Sequence, residues 1–534
     1  MQHGPPPPHS FRPGVPHARR SLLLVAVLTL LAAGAKAGSA PSTPAPWTRA
    51  DTQSASLADA AERLDRAGTR ARLKAGARPD EPQPDGMTAL HWAAQKEDVE
   101  LARILLRAGA RADVTNRYGV RPLSLACRSG NGELVRLLLE AGADANTPLP
   151  GGETPLMTAA RTGKPGPVQA LLAGGARVNA QERRGQTALM WAAAEGHQEV
   201  VQALLRAGAD LQVALEESGY TALFFAAREG RTGAARALLK AGADINQELR
   251  PGRVWGKGPR KGTSPLLLAV ENGHFELAVA LLDAGADPND QRSGFTPLHV
   301  LTWVRKPNRG DGDDGDPAPI GSGNMSSLQF VRKLAEHGAD ANARLTVGAS
   351  GRGLMTRRGA TPFLLAAGTA DAAYMKLLVE LGADPGLGNA EHCTPLMAAA
   401  GVGTLAPTEE AGTEPEVLEA VQLALDLGND LNAVDDNGET AMHGAAYKNL
   451  PEVVRWLARK GARIEVWNRP NNYGWTPVRI AEGYRVGNFK PSPETVAALQ
   501  EAFRAAGLTP PAPTPPGAGA DREPYPAAEG KKKP

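Results

Sequence analysis

The sequence predicts a mostly α protein, a solenoid of about twelve helix-turn-helix units with β-hairpin fingers. Three observations predict it. A four-residue anchor opening with Thr or Ser recurs along the 534 residues, and a Gly stands at a fixed distance behind most anchors. The composition, with 60 Gly, 44 Pro and only 4% aromatic residues, suits many short elements cored by Ala, Leu and Val. Two cysteines exclude a disulfide scaffold and a four-cysteine metal ribbon. With 59 basic against 57 acidic residues the chain is no wholesale polyanion binder, and nucleic acid is not an expected partner.

Taken in chain order, residues 1–37 read as a cleaved signal peptide. Arg12, Arg19 and Arg20 precede the apolar run Ser21–Gly34, and Ala35-Lys36-Ala37 offers a small-x-small cleavage site. Fourteen apolar residues are short of the ~20 that span a bilayer, so no membrane span is expected after cleavage. Arg19-Arg20 before Leu22 resembles a twin-arginine export signal; ordinary Sec export remains the alternative. Residues 38–54 read as a flexible linker and 508–534 as a disordered Pro-rich tail.

The solenoid is expected over 55–507. Its anchors begin at Thr88, Arg121, Thr154, Thr187, Thr221, Ser264, Thr296, Thr361, Thr394, Thr440 and Thr476. The spacing is 33 or 34 residues over the first five and again from Thr361 to Thr394. Thr or Ser opens ten of the eleven, as a hydroxyl that caps free N–H groups at a helix start. Pro follows in seven, at the first helical position, where its missing N–H costs nothing. Gly stands two residues before ten anchors, as a tight turn with positive φ requires. A second helix then ends at a Gly placed 21 residues after the anchor in eight units: Gly109, Gly142, Gly175, Gly208, Gly242, Gly285, Gly382 and Gly461. Residues 55–87 form a degenerate N-terminal cap.

These residues resemble the ankyrin repeat, with a TPLH-type helix start, a short second helix, and a third segment such as Gly242-Ala243-Asp244-Ile245-Asn246 or Gly285-Ala286-Asp287-Pro288-Asn289. The resemblance implies paired helices and a hairpin finger per unit, stacked into a curved solenoid whose stability comes from neighbours. The pattern looks like exported bacterial ankyrin-repeat proteins.

Longer intervals locate insertions near 248–263 and 344–359 in fingers, and near 304–326, 404–416 and 484–493 between the two helices of a unit. The enlarged fingers carry Arg250, Arg253, Lys257, Arg260, Lys261, Arg344, Arg352, Arg357 and Arg358 against Glu248. The first two inter-helix insertions hold Asp311, Asp313, Asp314, Asp316, Glu409, Glu410, Glu414 and Glu416. Two readings stand: solvated loops with accidental charge, or a basic finger surface that steers an anionic partner.

The ankyrin resemblance implies that partners meet the finger tips and the variable positions of the first helix, across a concave groove. By position these are Arg117, Tyr118, Arg183, Arg184, Tyr220, Arg292 and Phe295 at ordinary tips and Arg260, Lys261, Arg357 and Arg358 in the enlarged fingers. Trp303 and Tyr447 fall seven residues past their anchors, and Tyr473 and Trp475 flank the last turn. Tyr, Trp and Arg are enriched in binding hot spots. Trp92, Trp191 and Trp456 fall on helix-core slots and are expected to be structural.

Catalytic chemistry has no visible residues. His91, His299 and His443 occupy the fourth anchor position, where the family's His bonds within and between repeats; His197 and His274 also fit the repeat. Cys127 sits in a core slot and Cys393 at a finger tip, seven units apart, too far for a disulfide. Cys393, beside a His392 that replaces the usual turn Gly, is a candidate reactive thiol. Gly310, Gly312 and Gly315 fit a dinucleotide fingerprint as a string but lie among aspartates. The order of Asp311, Asp313, Asp314 and Asp316 breaks the usual Ca²⁺ loop geometry. Arg309-Gly310-Asp311 is too short a match to weigh.

No cofactor and no metal are expected. The sequence points to an exported, periplasmic or secreted, monomeric, non-catalytic scaffold that holds a partner protein through rigidly displayed side chains. The alternative is a basic finger surface for envelope polyanions or polysaccharide.

Overall fold

The computed structural model describes residues 56–252, 260–308, 318–348, 355–407, 409–485 and 491–512. The expected signal peptide and linker, 513–534 of the tail, and the Asp311–Asp316 loop lie outside the described residues. So do Arg253, Lys257, Arg309 and Arg352.

From Ser56 onward, helices come in pairs of which Ala89–Gln95 with Val99–Arg107, Pro155–Thr162 with Pro165–Ala173, and Pro297–Arg305 with Ser327–Glu336 are representative. The described residues contain twelve such pairs, beginning at Leu57–Glu62 with Arg66–Lys74 and ending at Pro477–Ala481 with Pro493–Ala505; one extra turn, Ile464–Trp467, stands between the last two. First helices pack on the first helices of neighbouring units, and second helices on second helices.

Each helix start follows from its anchor. In six units the Thr or Ser hydroxyl accepts the N–H three residues on, as Thr361 does from Leu364 at 3.1 Å. In the three units with His at the fourth position the hydroxyl turns to the ring instead, and Thr221 turns to Gln247. The buried face then reads Leu at the third anchor position and a small pair three residues later. Leu90 with Ala93 and Ala94, Leu189 with Ala192 and Ala193, and Leu223 with Ala226 and Ala227 are all buried. Alanines let adjacent first helices approach closely, which is how a chain poor in aromatic residues fills one continuous core.

No strand occurs among the described residues, so the expected β-hairpin form of the fingers is not confirmed there. Each finger closes on itself with a turn, as where Asn116 N–H donates to Val120 O at 3.0 Å. Neighbouring fingers then share single backbone bonds, Arg117 N–H to Asp85 O at 3.0 Å and Asn472 N–H to Asn437 O at 2.8 Å. A ladder needs successive bonds, and one bond per neighbour is too few.

Side chains do the rest of the stacking. Asn289 donates to Gly338 O at 2.9 Å and accepts from Asp340 N at 2.7 Å, tying one unit to the next. Asn146, Asn179, Asn246 and Asn342 repeat the same pair of bonds. At the opposite end of the units, Lys164, His197, Arg231 and His274 each reach a carbonyl at the C-terminal end of the preceding unit's first helix. A donor, charged or neutral, is favoured there by the helix dipole.

Candidate functional site

Finger tips and first helices bring four of the sequence-predicted residues together. Phe295, just before the Thr296 anchor, meets Trp303 of the helix Pro297–Arg305 edge-on at 5.0 Å, both half-buried. The guanidinium of Arg260, from the enlarged finger one unit earlier, lies 4.8 Å from the centre of the Phe295 ring and 5.3 Å from that of Trp303. Arg357, from the enlarged finger one unit later, stands 5.7 Å from the same Phe295 ring. Arg260 approaches Glu271 at 3.8 Å, a loose ion pair.

The electrostatics follow from this crowding. Burial, with Arg260 adding repulsion, lowers the Arg357 guanidinium from its ordinary value. Burial raises the Glu271 carboxyl, and Arg260 partly offsets the rise. The same face continues into the preceding unit, where Arg228 lies 5.4 Å from the Tyr220 ring and 5.2 Å from that of Phe225 and bonds Glu229 at 2.8 Å. The arrangement is an aromatic shelf carrying guanidinium groups, suited to binding by charge and stacking.

The other expected positions are scattered. Arg117, Arg183, Arg184, Lys261 and Arg358 are exposed at their tips, and Tyr118 is 65% exposed. Tyr473 and Trp475 form a tilted ring pair at 5.4 Å beside the last turn. Arg292 is not a free tip cation: it grips buried Asp290 through two bonds of 2.8 and 2.9 Å, which hold that carboxyl low despite its burial.

Two tyrosines correct the positional reading. Tyr447 is buried, its hydroxyl donating to Glu439 at 2.8 Å, while the buried Arg485 side chain donates to its carbonyl. Tyr220 is also buried, its ring against Phe224 and Phe225. Both pack the stack and offer a partner little surface. Conversely, Trp92, Trp191 and Trp456 are half-buried under the cations of Lys96, Arg161 and Lys460.

Cys393 is buried rather than exposed at a tip, and burial together with Asp435, Glu439 and Glu391 pushes its thiol well up. Burial and this upward shift both disfavour the thiolate in the fold. His392 keeps the finger turn despite replacing Gly: it takes φ 59° itself, and its Nδ1 lies 2.8 Å from Asp436 Oδ1.

The enlarged loops use much of their charge internally. Arg250 pairs with Glu248 at 2.5 Å, and Arg344 donates to Gly388 O at 2.7 Å. Glu410 accepts from Leu405 N, Glu414 from Glu452 N, and Glu416 from Lys306. Among the described residues no group of three or more His, Cys, Asp or Glu side chains is placed to hold a metal, and no helix is long and apolar enough to cross a membrane.

Sequence missed the asparagines that join the units. Their recurrence four residues after the helix-ending Gly, as in Gly242 to Asn246 and Gly285 to Asn289, was the signal that could have found them.

Family models built on ankyrin repeats match the chain. A three-copy model matches 57–148 and 156–248, a many-copy model 423–481, and a single-repeat model 261–292. Together they take in just over half of the 534 residues. No curated protein matches the chain.

Proposed function

The chain belongs to the ankyrin-repeat family, and from that premise we propose that it is a non-catalytic scaffold binding a partner protein through its finger tips and first helices. The observation that carries this reading is the meeting of Arg260, Phe295, Trp303 and Arg357, contributed by three successive units, on one face. A partner touching that face contacts pre-positioned aromatic and guanidinium groups and loses little side-chain entropy from them. The wider surface takes in Arg117, Tyr118, Arg183, Arg184, Lys261, Arg358, Tyr473 and Trp475.

Export belongs to the same proposal. The basic start, apolar run and Ala35-Lys36-Ala37 site support a periplasmic or secreted address, and a mature N-terminus at Gly38 is the expected result of mass spectrometry. A cytoplasmic protein retaining Met1 would end that part.

The scaffold reading is tested with a photo-crosslinking amino acid in place of Tyr118, Lys261 or, on the far side of a unit, Arg206. Discrete protein adducts from the first two positions and none from the third are expected. Equal labelling from all three, or none from any, would sink it. Lys261, Arg357 and Arg358 also favour a second reading, a surface for envelope polyanions or polysaccharide.

A further inference from the structure

Two guanidinium groups share one phenylalanine. Arg260 and Arg357 come from fingers on either side of Phe295 and converge on its ring at 4.8 and 5.7 Å. Like charges held so close repel unless an anion lies between them. Among the described residues Glu271 alone pairs with either guanidinium, 3.8 Å from Arg260, and Arg357 has no ion pair with a carboxylate there. The cluster is therefore a cationic pair with apolar flooring and too little negative charge.

We propose that the Arg260–Arg357 pair on its Phe295–Trp303 shelf receives an acidic segment of the partner protein, a Glu or Asp whose neighbouring apolar side chain lies on the rings. The inference rests on the scaffold reading and names the partner's chemistry. A planar carboxylate fits two guanidinium forks, and the half-buried rings give the flanking side chain an apolar contact that a bare phosphate chain lacks. An extended polyanion fits worse. Along the same face Glu229 and Glu271 alternate with Arg228 and Arg260, so a continuous run of negative charge meets repulsion one unit away. Arg250 and Arg292, which would extend a basic track, are already paired with Glu248 and Asp290.

The test is selection of random twelve-residue peptides displayed on phage against the full-length protein, followed by affinity measurement of one synthetic representative and of heparin. The expected pool is rich in Glu or Asp beside Leu, Phe or Trp. Its representative loses about tenfold in affinity, 1.4 kcal/mol, on Arg260→Gln or Arg357→Gln and nothing on Arg206→Gln. Unchanged melting temperatures would show that the variants remain folded. Enriched peptides without acid, or acidic peptides indifferent to both substitutions, overturn this inference and leave the scaffold reading standing. A selection that enriches nothing counts against both, and heparin binding in that case transfers the surface to polyanions.

Discussion

Arg305 donates through Nε and a terminal nitrogen to the two carboxylate oxygens of Asp371, at 2.7 and 3.0 Å, crossing from the end of one unit's first helix to the N-cap of the next unit's second helix. Near the start of the stack Arg66, the first residue of a second helix, makes a similar two-bond pair with Asp98, the N-cap of the next unit's second helix, at 2.8 Å for both bonds. The two differ in water access: the Arg305 side chain is 13% exposed and that of Arg66 52%. Both carboxylates are covered, Asp371 at 2% and Asp98 at 4% exposed, but truncating the half-exposed Arg66 opens Asp98 to water whereas truncating Arg305 leaves Asp371 uncompensated under cover. Arg305→Met is expected to cost about 3 kcal/mol in urea unfolding, and Arg66→Met much less. Equal losses would show that geometry, not burial, sets the strength of this inter-unit tie.

The anchor histidines predict a pH dependence. Nε2 of His91, His299 and His443 lies 3.1 to 3.2 Å from a carbonyl of the next unit, which can only accept, so Nε2 carries the proton. Nδ1 faces the anchor Thr hydroxyl in all three and, in His91 and His443, the Thr N–H as well. A second proton on Nδ1 has no place. Burial holds His299 and His443 at about 4, against an ordinary 6.5, and lowers His91 too. Above pH 6.5 the rings are neutral whether the chain is folded or not. From 6.5 down to about 4 the unfolded chain takes up protons that His299 and His443 refuse in the folded one, so stability falls as pH falls, by up to about 1.4 kcal/mol per pH unit for each of these two rings. Asp435 works in the other direction. Burial pushes its carboxyl from 3.8 up to about 7, so its contribution is full below 3.8 and is lost as pH rises through 7. Urea midpoints from pH 4 to 8 should show a shallower acid limb for His443→Gln. Asp435→Asn should gain stability over the native chain at pH 8 and lose that advantage by pH 4. An acid limb unaltered by His443→Gln would refute the assignment.

Anchors and helix-ending glycines were legible because each is a local demand that recurs with the unit. All eight helix-ending glycines have positive φ, and so do the ten that precede anchors. What stayed hidden depends on what a neighbouring unit lays over a position. Trp303 and Tyr447 share one slot seven residues past their anchors, yet one is half-buried beside Arg260 and the other is fully covered. The difference is aperiodic. The loop after Ala400 packs against the helix Ala441–Tyr447, and Arg485 arrives from the following insertion. For Arg292 the carboxylate that engages it is two residues away in sequence, but Asp290 is an effective partner because the stack buries it. The meeting of Arg260 with Arg357 joins two insertions 97 residues apart, a relation no repeat phase contains.

Two glycines with almost the same backbone separate conformational strain from steric contact. Gly262, at φ 83°, precedes an anchor, and a Cβ there would stand 2.3 Å from the Arg292 carbonyl oxygen. Gly208, at φ 85°, ends a second helix and faces open space. Gly208→Ala is expected to cost about 1 kcal/mol, the left-handed penalty alone. Gly262→Ala adds an overpacked finger contact and should cost about 3 kcal/mol. Matching losses in chemical denaturation would mean that the Arg292 finger yields freely, contrary to its close backbone approach to Gly262.

The inter-unit asparagines offer a test in which one atom changes. Asn289 uses its amide nitrogen toward Gly338 O and its amide oxygen toward Asp340 N. Asp80 occupies the corresponding place in the first unit and makes the oxygen bond, to Arg111 N at 2.9 Å. Asn289→Asp keeps that acceptor but turns a carboxylate oxygen toward the Gly338 carbonyl, two acceptors with no proton between them. Asn289→Ala loses both bonds without creating the repulsion. If the paired geometry is what couples the units, the Asp variant should be about as destabilised as the Ala variant, each by about 1–2 kcal/mol, despite retaining one bond. The Asp deficit should shrink below pH 4, where the carboxyl regains a proton it can donate. An Asp variant as stable as the native chain at pH 7 would reduce the asparagine column to a solvated edge, with the helix faces alone holding the stack in register.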